Sequence, residues 1–158
     1  MKYLYLILLI TLISVGFAKQ GTIMQPAGKI DSVVEDQLQE GRWELVMFWA
    51  TYCQVCKKDF INLGDFIEDN PDLPFTLVGV VVDGVEEKAK TEELIEDREL
   101  NYVHILTDYE TANEFYTKNT DMQLIGTPSY ILYDKDNKLV GVNPNGIDIE
   151  ALELFFDH

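Results

Sequence analysis

Two cysteines, Cys53 and Cys56, are the only ones in the 158-residue chain, and they are spaced Cys-x-x-Cys. Two intervening residues let the sulfurs meet without rearranging the backbone. Such a dithiol can attack a disulfide through one sulfur and release the product through the other. Two further chemistries share this spacing. A zinc site needs about four Cys, His or carboxylate ligands, and the chain offers no second cysteine pair and only His104 and His158. A purely structural bridge across so short a loop removes little chain entropy and stabilises weakly.

The elements that must position the pair come next. Leu45-Val46-Met47-Phe48-Trp49 precedes it as a short apolar run, which predicts a buried strand. After it Cys56, Phe60, Leu63 and Ile67 recur at helical spacing, which predicts a helix from about residue 54 to 68. The thiols therefore stand where a strand hands over to a helix. Unpaired N–H groups and the positive end of the macrodipole favour a thiolate there. They lower a thiol pKa from about 8.5 into the range of about 3.5–7.5. Cys53, at the helix mouth, is the expected nucleophile. Cys56, one turn in and facing the core, is the expected resolving thiol.

Around this unit, residues 30–40 read as a helix ended by Gly41, with Val33, Val34 and Leu38 inward. Phe75–Val82 reads as a strand buried on both faces, stopped by Asp83-Gly84. A charged helix over 86–98 follows, with Ala89, Leu94 and Ile95 inward, then a strand over 102–106 and a helix over 109–118. Ser129–Asp134 and Lys138–Val142 read as a hairpin about Asp136-Asn137-Lys138. A closing helix is read over 147–156, with Ile149, Leu152, Leu154 and Phe155 as its apolar residues. Early alternation argues for parallel strands with helices on both faces, and the hairpin adds antiparallel ones.

Length and composition, 47% hydrophobic and 25% charged, suit one globular domain. Residues 1–18 stand apart. Met1-Lys2 leads an uncharged run, Tyr3–Ala18, ending in Gly16-Phe17-Ala18. This predicts a secretory signal cut after Ala18, an uncleaved membrane anchor being the other reading. Residues 19–29 are expected as an extension and 30–158 as the domain. A net charge of −16 excludes nucleic acid and anionic membranes as partners.

Phe48-Trp49-Ala50-Thr51-Tyr52-Cys53-Gln54-Val55-Cys56-Lys57-Lys58-Asp59 resembles the active-site segment of the thioredoxin superfamily. It is most similar to the TlpA/ResA branch of extracytoplasmic thiol-disulfide oxidoreductases, which includes reductases of cytochrome c maturation. The resemblance runs from about residue 30 to the C-terminus. It takes in Gly126-Thr127-Pro128, similar to the family's cis-proline loop, and Tyr130–Asp134 with Asp136–Lys138, similar to its closing hairpin. It implies a thioredoxin-like three-layer α/β sandwich with a central mixed sheet, and an inserted strand–helix unit between Phe75 and Arg98. It also implies that Thr127, before Pro128, offers its backbone to an extended substrate. Trp49 and Tyr52 are candidates for the substrate-facing surface, with packing beside the site as the other reading of Trp49. Asp59 is a candidate proton acceptor for Cys56, or else a solvated acid near the helix start. Met47 stands where thioredoxin carries a buried Asp.

The function implied is reduction of disulfides in exported proteins. A membrane-embedded thiol donor supplies the electrons and the protein acts as a monomer. The Cys53–Cys56 disulfide needs neither cofactor nor metal. The alternatives are an oxidant or isomerase on the same fold, or a copper-binding delivery module using the cysteines and a histidine.

Overall fold

The computed structural model describes residues 21–26 and 28–156. The expected signal segment, residues 1–18, lies outside them. Among the described residues no helix is long and apolar enough to cross a membrane.

The elements run β1 (Thr22–Met24), α1 (Asp31–Glu35), β2 (Trp43–Trp49), α2 (Gln54–Asp69), β3 (Phe75–Val81) and α3 (Lys88–Asp97). There follow β4 (Val103–Leu106), α4 (Tyr109–Thr120), β5 (Ser129–Tyr133), β6 (Leu139–Asn143) and α5 (Ile149–Glu153). The six strands of this sheet lie in the order β1-β4-β3-β2-β5-β6. β1, β4, β3 and β2 pair in parallel, and β2-β5 and β5-β6 are antiparallel. This is the mixed sheet of a thioredoxin-like α/β fold. β2 and β3 are its middle because their runs of Val, Leu, Phe and Met bury both faces.

Several expectations shift. α1 ends at Glu35 rather than Glu40, because the next turn tightens: Gln37 N–H donates to the Val34 carbonyl and Leu38 N–H to that of Glu35. The Gln39 N–H then donates to the Glu44 carboxylate, which draws the chain into β2. In α2 the inward end position belongs to Phe66, which packs 5.5 Å from Phe75 and 5.7 Å from Phe156 between ring centroids. Ile67 lines a groove of about 700 Å³ instead. In α3 Thr91 is buried and Ala89 exposed. Leu154 and Phe155 are exposed beyond the short α5. Within the strand–helix unit expected between Phe75 and Arg98, β3 pairs with β2 on one side and β4 on the other, and α3 follows it.

Candidate active site

Cys53 is the N-cap of α2, and its Sγ accepts the Cys56 backbone N–H at 3.1 Å. Sulfur thus takes the place that Ser or Asp oxygen takes at many helix starts. The Cys53 N–H donates to the Ala50 carbonyl at 3.0 Å and closes the turn that turns β2 into α2. The two sulfurs are joined in a disulfide, with Cα atoms 5.3 Å apart. Their surroundings differ: Cys53 keeps 7% exposure and Cys56 has 0%.

The loop ahead of Cys53 is clamped from just beyond β3. Asp83 accepts the Thr51 N–H at 2.8 Å and the Thr51 hydroxyl at 2.7 Å. Asp83 was read only as a strand stop. The parallel register that pairs Trp49 with Val81 continues two residues to Thr51 and Asp83, so this register is the signal that points to it. Trp49 is fully buried, with its ring edge-on to Phe60 at 5.1 Å and His104 at 5.5 Å. It has no face to offer a substrate, and packing is its role. Tyr52 and Val55, on either side of Cys53, are exposed, as is Ile125.

Thr127–Pro128 is a cis peptide bond. β5 pairs antiparallel with β2, Ser129 opposite Phe48. One and two residues further along, this register sets Pro128 and Thr127 beside Trp49 and Ala50, at the mouth of the cysteine loop. Pro128 is buried and Thr127 half-buried.

Asp59 is not a solvated helix-start acid. It lies in the second turn of α2, is only 2% exposed, and accepts two bonds on Oδ2: the Tyr130 hydroxyl at 2.6 Å and the Ile147 N–H at 3.0 Å. Neither partner was legible from sequence. Tyr130 looked like one more residue of an apolar strand, and Ile147 is joined to Asp59 across 88 positions of chain. His104 is fully buried in β4, its Nε2 3.2 Å from the Leu100 carbonyl. Burial pushes its pKa down to about 4. Among the described residues no three His, Cys, Asp or Glu side chains gather to hold a metal ion.

A reducible cysteine pair capping the helix after a central parallel strand, beside a cis-proline loop, marks a thioredoxin-fold thiol-disulfide oxidoreductase. The chain belongs to the AhpC/TSA family, whose match spans residues 20–142. Its structure is similar to the thioredoxin domain of a thiol-disulfide oxidoreductase from Bacteroides vulgatus, at 27% identity and TM-score 0.57, over 73% of this chain and 80% of that one. A thiol:disulfide interchange protein from Bacteroides sp. matches at 28% identity and TM-score 0.56, over 75% of each chain. StoA from Bacillus subtilis shares the fold at 20% identity and TM-score 0.56, over 75% of this chain and 84% of that one. No curated protein matches the sequence.

Proposed function

We propose that this oxidoreductase works outside the cytoplasm and reduces disulfides of exported proteins, with Cys53 as nucleophile and Cys56 as resolving thiol. Residues 1–18 supply the export signal, and 30–158 form the working domain, with β1 added at the sheet edge. In the reduced protein the Cys53 thiolate attacks one sulfur of a substrate disulfide. The substrate's other sulfur leaves as a thiolate and takes up a proton. Cys56 then attacks Cys53 Sγ, the mixed disulfide breaks, and the second substrate sulfur leaves. Two electrons pass to the substrate and the Cys53–Cys56 disulfide forms. A membrane-embedded thiol donor returns the pair to the dithiol. The electrons stay on sulfur throughout, so the cycle calls on no flavin, nicotinamide or metal. The partners are exported thiol or disulfide proteins rather than nucleic acid, and the protein acts as a monomer.

One observation carries this reading: the unequal placement of the two sulfurs. Cys53 stands at the rim with the Cys56 N–H directed at its sulfur, while Cys56 has no exposed surface. An N–H aimed at sulfur favours the thiolate that begins the reaction. The exposed Tyr52 and the backbone of Thr127 flank that sulfur and supply the substrate surface, with Pro128 shaping the loop. Asp59, one helix turn from Cys56, is the proton acceptor.

The reduction potential of the cysteine pair tests the direction. A value near or below that of thioredoxin, about −270 mV, supports the reductant, and one near about −120 mV makes the protein an oxidant. Cys53→Ser abolishes turnover on this reading. A pair that forms no reversible disulfide rejects it and favours metal delivery.

A further inference from the structure

Cys56 and Asp59 are three residues apart on α2, a spacing that brings side chains together on one helix face with Cβ atoms about 5–6 Å apart. Both are buried, Cys56 fully and Asp59 to 2% exposure. The carboxylate is held from outside its own helix. Tyr130 in β5 and the Ile147 N–H before α5 both donate to Oδ2, and Oδ1 accepts from neither. Two donors on one oxygen fix the plane of the carboxylate and leave the other oxygen as the free acceptor.

We propose that Tyr130 is a positioning residue for the exchange reaction, its hydroxyl holding Asp59 so that Oδ1 takes the proton of the Cys56 thiol. This deepens the reading above and rests on Asp59 being the proton acceptor. In the resolving step the S–H bond of Cys56 breaks and its proton goes to Asp59 Oδ1. The sulfur electron pair forms the bond to Cys53 Sγ. The Cys53–substrate bond breaks, and its electron pair leaves on the substrate sulfur. The proton then passes from Asp59 to the departing thiolate or to solvent.

Few other ionisable groups face Asp59. β5 contributes Tyr130, and α2 contributes Cys56. The segment before α5 contributes the Ile147 amide and Gly146, where a Cβ would stand 3.5 Å from Oδ2. The Asp148 carboxylate is turned to its own helix, accepting from the Ala151 N–H at 3.3 Å. β2 sets uncharged Met47 opposite Tyr130. Among the described residues, Tyr102 is the one further ionisable side chain whose charge bears on Tyr130. Burial first, then the Asp59 hydrogen bond and charge, raise the Tyr130 pKa far above the ordinary tyrosine value. The hydroxyl thus stays a donor at every working pH. A pH effect of removing it passes through the carboxylate and not through the tyrosine itself.

The test is the pH–rate profile of the resolving step, release of thiol from a mixed disulfide preformed on Cys53, in the full chain and in Tyr130→Phe, which keeps the ring in the core and removes the donor. With Cys53 held in the mixed disulfide, its own protonation does not enter the profile. Loss of a hydrogen bond to a charged group is expected to slow the step about tenfold on the acid limb, with the plateau retained. A Tyr130→Phe profile that overlays the wild type overturns the proposal. So does one lowered by the same factor at every pH, the mark of a merely structural role. Asp59→Asn removes the limb, and adding Tyr130→Phe to it changes nothing more. If Asp59→Asn keeps the wild-type limb, Asp59 is not the acceptor, and the proposal falls together with the reading beneath it.

Discussion

Asp59 and His104 are two ionisable side chains buried to almost the same degree, one on α2 and one on β4, and their surroundings are opposite. Asp59 receives an O–H and an N–H, both aimed at its carboxylate. His104 has one ring nitrogen near the Leu100 carbonyl, and its Nδ1 has no partner among the described residues. Its ring is walled by Trp49 and by Tyr102, whose centroid is 4.3 Å away. Burial alone drives an imidazole neutral, and here it holds the pKa at about 4 against a smaller opposing push from the Leu100 carbonyl. Directed donors oppose that penalty for a carboxylate. On our proposal it is donors brought from other elements, and not depth, that make a proton carrier.

The sharpest way to break this contrast is to replace each ionisable group by an amide. Asp59→Asn is expected to slow exchange about 100-fold at pH 7, the low end for a general base. His104→Gln is expected to leave the rate within about twofold. Stopped-flow reduction of a disulfide substrate measures both, and equal losses would erase the distinction.

Packing comes next. A Cβ at Gly79 would stand 2.5 Å from His104 Nδ1 and 2.7 Å from Trp49 Nε1, two rings locked in the core. Gly79→Ala is expected to cost about 3 kcal/mol in urea unfolding, at the upper end for overpacking. The pH dependence of stability follows. His104 is neutral in both states above its unfolded pKa of about 6.5, so it contributes nothing there. As pH falls from 6.5 towards 4 the unfolded chain binds a proton that the folded one refuses, and stability declines. The loss between pH 7 and pH 5 is expected to be about 2 kcal/mol, and absent in His104→Gln. The smallest effect belongs to the Asp59 side. At Gly146 a Cβ meets Val55 Cγ1 at 3.0 Å, the end of an exposed side chain that can turn away. Gly146→Ala is expected to cost under about 0.5 kcal/mol. A larger loss there than at Gly79 would reverse the comparison.

Part of this contrast could be read in the chain beforehand. Cys53 and Cys56 announce themselves by spacing, and Leu45–Trp49 and Phe75–Val82 by unbroken apolar runs, because a strand between layers must be apolar on both faces. Periodicity was less reliable at element ends. Ile67 fits the inward stripe of α2 but faces a groove, and Phe66 turns inward because Phe75 and Phe156 are there to meet it. His104 sat in an apolar strand, and its structural role followed from that.

The sequence by itself determined the chemistry and its scaffold: two thiols at a strand-to-helix junction, in an α/β chain that alternates and then closes with a hairpin. These are local facts, set by residue types within a few positions of one another. Only the tertiary structure decided which groups gather around the thiols' helix. Asp83 reaches Thr51 across 32 residues, Tyr130 reaches Asp59 across 71, and Ile147 reaches it across 88. Such partners are chosen by strand register and by how helices lie on the sheet. A hydrogen bond depends on distance in space, and nothing in the local pattern of Asp59 records which donor the fold will bring to it.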